Sequence, residues 1–359
     1  MFINPDQWLF DVERRARQTG DEQRLYMLRL YRNCWGLFEI DPEQALTRLA
    51  QARDLAITFQ DDCCRIIFEH WMVQVYLYYQ VDVAKALDLA ARSAAEIRRF
   101  PGCPVHASAV RGLIDAYMEY DPVGYTNEIR EALAYLENAV ALDQDTWQAI
   151  PDQHADLLVA LERLPEALDQ ELRSLDRSQG SDFRIMYACR SLAEICFGLG
   201  RPDEVLNYAA LGEGHARRSS NSGRVLAALI LWQAYCHCHL GDSATAAGLY
   251  QRAMNTITRQ KASLVDRYFD PLCAYLEADG ALDAAIRART LELDNAVQGH
   301  SPYRESLAHL KRCRLLAQAG TLTAAELGSA RAVSARLKNP TRYLARLDRI
   351  AAGDTAPTG

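Results

Sequence analysis

The feature that most constrains this chain is a short pattern that returns about every 40 residues. It consists of a turn or helix-breaking position, four residues, a small residue, and then a helical stretch. The eight copies open at Ile40, Val81, Asn127, Glu162, Gly200, Gly241, Gly280 and Gly320. Successive spacings are 41, 46, 35, 38, 41, 39 and 40 residues. The small residue five positions later is Ala45, Ala86, Ala132, Ala167, Val205, Ala246, Ala285 and Ala325. Self-similarity at such a period is the mark of a repeat array, in which each unit buries its apolar face against its neighbours.

Each repeat reads as two helices. Apolar residues recur at three- and four-residue steps on both sides of the turns, as in Arg224–Leu240 and Ala244–Arg259 around Gly241. Gly at the last four turns suits the position that ends a helix. Pro42, Pro165 and Pro202 fall just inside the next helix start, where a missing N–H is tolerated. No sustained period-two alternation calls for strands. A small residue at a fixed place in the second helix lets two helix axes approach closely.

These residues resemble the tetratricopeptide repeat family. The match is clearest in Ala234, Gly241, Ala246, Tyr250 and Ala253 of the sixth copy. The fifth copy gives Ala193, Gly200, Val205, Ala209 and Gly212, and the eighth gives Cys313, Gly320, Ala325, Ser329 and Ala332. The period of 40 exceeds the family's usual length, which looks like the long-repeat variants in bacterial regulatory proteins. The resemblance implies an all-α, right-handed α-α superhelix of about eight helical hairpins. A single solenoid over 1–351 is expected, with a cap helix at 5–18, eight repeats over 21–337, a second cap helix at 341–351 and a flexible tail at 352–359. The extra residues Asp121–Thr126 account for the spacing of 46 in the third copy.

The resemblance also implies which residues face a partner. The first helix of each repeat lines a concave groove in that family. Projection from the turns selects Leu37 and Phe38 in copy one, then Phe68, Trp71, Val75, Tyr78 and Tyr79 in copy two, then Leu113 and Tyr117 in copy three. Of 31 aromatic residues, 19 fall in the first 147 positions. A protein or peptide partner is therefore expected, with an amphipathic helix the natural occupant of such a wall. Self-association into a homo-oligomer is the other use of it. The family's carboxylate-clamping Lys and Asn positions correspond to Leu30, Cys34, Trp71 and Val75, so capture of a free C-terminus is not expected. A wall of this kind reads equally as ordinary core if the register is off by one face.

The remaining motifs argue against chemistry. Net charge is −7 and only four residues are Lys, so no nucleic-acid partner is expected. No apolar run approaches the roughly 20 residues needed to span a bilayer. The N-terminal residues lack a basic region followed by an apolar one, and the cytoplasm is the expected location. Tyr235-Cys236-His237-Cys238-His239 cannot converge four ligands from one helix, because neighbours point about 100° apart. Cys63, Cys64 and His70 make a weaker set. Asp152 and Asp156 lie four apart on one helix face, as many solvated pairs do. No cofactor, metal or catalytic residue is expected, and the chain reads as a non-enzymatic scaffold or adaptor. The rival reading is a regulatory sensor that binds a small effector or signalling peptide and switches a partner protein.

Overall fold

A computed structural model describes residues 5–38, 40–79, 82–100, 103, 105–138, 144–219, 223–258 and 268–355. Val81, which opens the second repeat copy, and positions 356–359 of the expected tail lie outside them. Eighteen helices and no strand occur among the described residues. The fold is all-α, of the α-α superhelical solenoid class. Sequence neighbours pack together, as α10 does on α11 (Asp182–Gly198 and Pro202–Ala216). Helices two apart also touch, as α10 does on α12 (Gly223–His239). That second kind of contact is how a repeat array builds its core.

The chain divides into two compact units, Met1–Ile150 with Gln298–Ser301, and Pro151–Val297 with Pro302–Gly359. Unit 1 holds α1 (Pro5–Thr19), α2 (Glu22–Arg32), α3 (Pro42–Thr58), α4 (Asp62–Tyr78), α5 (Val83–Ile97), α6 (His106–Tyr120) and α7 (Thr126–Glu137). Four of its helices, α2 to α5, start on an aspartate about every 20 residues. Asp21, Asp41, Asp61 and Asp82 each accept a hydrogen bond from the backbone N–H three residues on. This is the N-cap bond that satisfies one of a helix's orphan donors.

Unit 2 begins at Pro151, inside α8 (Gln144–Ala160). It continues through α9 (Leu164–Arg177), α10, α11, α12, α13 (Ser243–Thr258), α14 (Phe269–Ala278), α15 (Leu282–Gln298), α16 (Pro302–Gln318), α17 (Ala324–Ser334) and α18 (Thr341–Ala351). One core cluster gathers Met186, Val205, Leu229 and Trp232, and the next gathers Leu231, Ala246, Leu272 and Ala285. Leu226 and Tyr235 pack against both. The apolar interior thus passes from one repeat to the next. Ion pairs add to it: Arg289 on α15 reaches Asp270 on α14 at 2.8 Å and Glu292 at 2.6 Å, and Lys311 on α16 reaches Asp270 at 2.6 Å.

The turn residues set the register. Gly200, Gly241, Gly280 and Gly320 all have left-handed backbones, with φ of +68°, +83°, +76° and +70°. The next N–H donates five residues back, from Arg201 to Cys196 O at 3.0 Å and from Asp242 to His237 O at 2.9 Å. That is the Schellman closure of a helix C-terminus. Glu162 opens the fourth copy and adopts the same conformation at φ +62° without being glycine, and Arg163 N–H donates to Leu158 O at 2.8 Å. The turn is conserved in geometry where it is not conserved in residue.

Seven of the eight small positions are buried: Ala45, Ala86, Ala132, Ala167, Val205, Ala246 and Ala285. Ala325 is exposed, and Ala330 and Ser334 are buried in its place. The expected position in the eighth copy is overturned for a local reason. Helix α17 starts only at Ala324, behind a capping box made by Thr323 and Glu326. Its buried stripe is shifted accordingly. Gly212 on α11 shows how tight the contacts elsewhere are. A Cβ there would stand 2.7 Å from Cys189 Cβ and 2.9 Å from Leu229 Cδ2. Cys189 Cβ is fixed to the α10 backbone and cannot swing away. Gly212→Ala is therefore expected to destabilise unit 2 by about 1–3 kcal/mol, despite alanine's better helix propensity. Chemical denaturation checks this, with Gly248→Ala, where a Cβ meets nothing within 4 Å, as the neutral or stabilised control.

Candidate functional site

The ring-rich face predicted for unit 1 is built from α2, the turn after it, and α4. Helix α2 ends at Arg32. The projection carried it through Phe38, and the structure corrects this. Asn33 and Gly36 are poor helix formers. The chain tightens into i→i−3 bonds instead, from Cys34 N–H to Tyr31 O at 3.0 Å and from Leu37 N–H to Cys34 O at 2.8 Å. Cys34 is fully buried under the turn, and its thiol donates to Leu30 O at 3.0 Å. Leu37 and Phe38 therefore sit on a turn rather than on a helix face.

The turn lays its rings on α4. Phe38 stacks on Trp71 with centroids 5.5 Å apart and planes 15° apart, and lies 5.8 Å from Tyr79. Trp35 meets Trp71 at 4.4 Å. Tyr31 meets Phe68 at 5.4 Å. Burial divides the projected wall. Phe68 and Val75 have no exposed surface, and Phe38 and Leu113 are also buried. Leu37, Trp71, Tyr78, Tyr79 and Tyr117 are half-buried. Tyr117 belongs to a separate pair, stacked on Tyr125 at 4.5 Å.

Trp35 was absent from the projection, yet it is the most open ring of this group, at 46% exposure. A helical register cannot select a residue that sits on a turn. The available signal was composition: a Trp beside Gly36, 36 residues and so about one repeat before Trp71.

A second feature went unread in unit 2. The buried stripe of α9 is Ala167, Glu171, Ser174 and Ser178. Glu171 has no exposed surface; no donor reaches its carboxylate, which meets the Asp152 carboxyl and can hydrogen-bond to it only when one of the two is protonated. Burial pushes the Glu171 carboxyl well above the usual range, and Asp152 and Asp156 of α8 push it further, against a smaller opposing pull from Arg190 of α10. The two aspartates that looked like a solvated pair are half-buried and face this acid. The i, i+4, i+7 spacing from Ala167 was the sequence signal that Glu171 points inward.

The Cys/His stretch on α12 spreads out as helix geometry requires. Cys236 is fully buried with its thiol pushed up to about 12 by burial, and donates to Pro202 O at 3.4 Å. His237 pairs with Asp242 at 3.3 Å, and His239 stacks on Tyr235 at 6.0 Å. Cys64 and His70 are both buried in α4. No helix among the described residues is long and apolar enough to cross a membrane.

Comparison with known proteins gives a narrow result. No family model and no curated protein matches this sequence. Among solved structures, a crystal structure of BtubC (BKLC) from P. vanneervenii is similar, with 18% sequence identity and a TM-score of 0.45. The match covers 60% of this chain and 91% of that one. The family stays open.

Proposed function

We propose that this chain is a tetratricopeptide-like scaffold or adaptor of the long-repeat kind, acting by binding rather than by catalysis. Its partner is a protein or peptide segment, best an amphipathic helix, engaged at the ring cluster of unit 1 in the cytoplasm. The observation that carries the reading is Trp35. It holds nearly half its surface open while resting on Trp71, which is itself backed by Phe38. Large rigid rings supported from behind give contact area at little cost in rotamer freedom, and Trp is the residue type most enriched at binding hot spots. Of the projected wall, Phe68 and Val75 are its covered part and Leu37, Trp71, Tyr78 and Tyr79 its half-buried part. The repeat pattern, the left-handed turns and the small helix-contact positions support the tetratricopeptide-like part of the reading.

Trp35→Ala is the decisive variant. Trp35 has a little over half its surface covered by neighbouring rings, so its truncation is expected to cost about 1–2 kcal/mol of folding stability, less than that of a fully buried Trp. Loss of a hot-spot Trp costs on the order of 2 kcal/mol of binding, about thirtyfold in affinity. The partner is identified by mass spectrometry of material co-purified with the intact protein, and its affinity is then measured by calorimetry. A variant that stays folded at the temperature of the binding measurement and binds about thirtyfold more weakly supports the site. One that binds at full affinity removes the cluster from consideration.

A further inference from the structure

Nine of the ten cysteines are buried or have thiols raised by burial. Cys34, Cys64, Cys103, Cys189, Cys196, Cys236, Cys273 and Cys313 are buried, and burial raises the thiol of half-buried Cys238. Burial pushes Cys34 and Cys313 up to about 11, and Cys189, Cys196 and Cys273 up to about 12. Cys63 is different. It is half-buried, it lies in the first turn of α4, and its thiol is hydrogen-bonded to the thiol of Cys103. Cys103 comes from the connection between α5 and α6, 40 residues along the chain, and both belong to unit 1.

Each sulfur is held in place by its backbone. Asp61 caps α4 by accepting from Cys64 N–H at 3.1 Å, which fixes the turn that carries Cys63. Cys103 N–H donates to Phe100 O at 2.9 Å, and Cys103 O accepts from His106 N–H at 3.0 Å. The bond from Cys103 lowers the Cys63 thiol, against burial and the charges of Asp61 and Asp62. The same bond, with burial, raises Cys103. The pair is asymmetric in access, with half-buried Cys63 within reach of solvent and Cys103, 1% exposed, enclosed beside it. That division of labour suits an attacking and a resolving thiol.

We propose that Cys63 and Cys103 form a reversible intramolecular disulfide on reaction with a hydroperoxide. The Cys63 thiolate attacks one peroxide oxygen, the O–O bond breaks, and the released oxygen takes up a proton. Cys63 is left as a sulfenic acid. The Cys103 sulfur then attacks the Cys63 sulfur as its proton leaves, the S–S bond forms, the S–OH bond breaks, and water departs. The two thiols lose two electrons and the peroxide gains them. A small dithiol reverses the change. The link would join the start of α4, the helix that carries Trp71, to the segment before α6.

The test uses the full-length protein, fully reduced, exchanged into buffer and treated with hydrogen peroxide at a few equivalents. After quenching and unfolding in urea, the expected thiol count is eight in place of ten. Non-reducing tryptic digestion is expected to join peptide 54–65 to peptide 100–111, on a chain that still runs as a monomer, and dithiothreitol is expected to separate them. Peptide 54–65 also carries Cys64, so Cys64→Ser is digested in parallel and should still give the joined peptides. In Cys103→Ser, Cys63 should stop at the sulfenic acid and be captured by dimedone. A Cys63–Cys64 link, a link between chains, or oxidation of Cys63 with Cys103 left free in the parent protein would each overturn the proposal. The parent and Cys64→Ser digests decide the matter even where Cys103→Ser does not fold.

Discussion

Glu171→Gln is expected to make unit 2 more stable at neutral pH and to flatten its dependence on pH. Glu171 is enclosed by α8, α9 and α10, its oxygens meet no donor, and Asp152 and Asp156 oppose its ionisation. Its folded pKa is therefore raised. Below the ordinary glutamate value of about 4.3, the folded and unfolded chains both carry the proton, and the group contributes no pH dependence. As pH rises past that value, the unfolded chain releases the proton and the folded chain keeps it. Stability then falls by about 1.4 kcal/mol for each pH unit, and the fall ends once pH exceeds the raised folded value. Glutamine fills nearly the same space and cannot ionise. Urea denaturation of parent and variant at pH 5, 6 and 7 should give midpoints that diverge as pH rises, with the variant higher. Parallel curves would mean that Glu171 ionises in the folded protein as readily as in the unfolded one.

Trp232→Ala is expected to cost about 3–5 kcal/mol, the range for deleting a fully buried aromatic side chain. Trp232 is 1% exposed, with its ring 4.8 Å from Phe197 on α10 and 6.1 Å from Tyr235 on its own helix. Met186, Val205 and Leu229 belong to the same buried cluster, so the deleted ring leaves a cavity inside it. The loss should appear as a lower denaturation midpoint with an unchanged slope. Trp35→Ala offers the internal contrast, since the same residue type stands there on the outside of unit 1. Equal costs for the two would contradict the burial assigned to each.

The parts of this fold that were legible in the sequence are those fixed by local backbone chemistry. Gly200 and Gly241 announced left-handed turns, and the small residues that follow them announced close helix contacts. Glu162 was placed at the same turn by spacing alone, and it carries the same positive φ. Legibility failed where a local event shifts the register. Thr323 and Glu326 delay the start of α17, and the buried stripe moves from Ala325 to Ala330 and Ser334. Asn33 and Gly36 end α2 early, which puts Trp35 on a turn where no helical projection looks. Glu171 was missed for another reason. A carboxylate is read as solvated unless its place on the stripe is traced from Ala167, and the cost of enclosing it shows only once three helices are assembled around it.

The left-handed turn also determines where this chain can be cut and rejoined. The residue after Gly200 and the one after Gly241 close their helices with the same five-residue-back hydrogen bond, and a new helix begins two residues after each glycine. Splicing Gly200 directly to Asp242 would remove one whole helical pair, α11 and α12, and leave in register both the closing bond and the bond that Asp242 Oδ1 accepts from Thr245 N–H at 3.2 Å at the start of α13. The ends to be joined already share a backbone conformation, so recombination between two such points exchanges length without creating a new turn. What it would not carry over is the side-chain fit, because Gly212 admits α10 and α12 at a distance that no other residue there allows. Duplication and loss are therefore cheap for the backbone of such a chain, and it is the closest helix contacts that individualise each repeat and hold the order of the array.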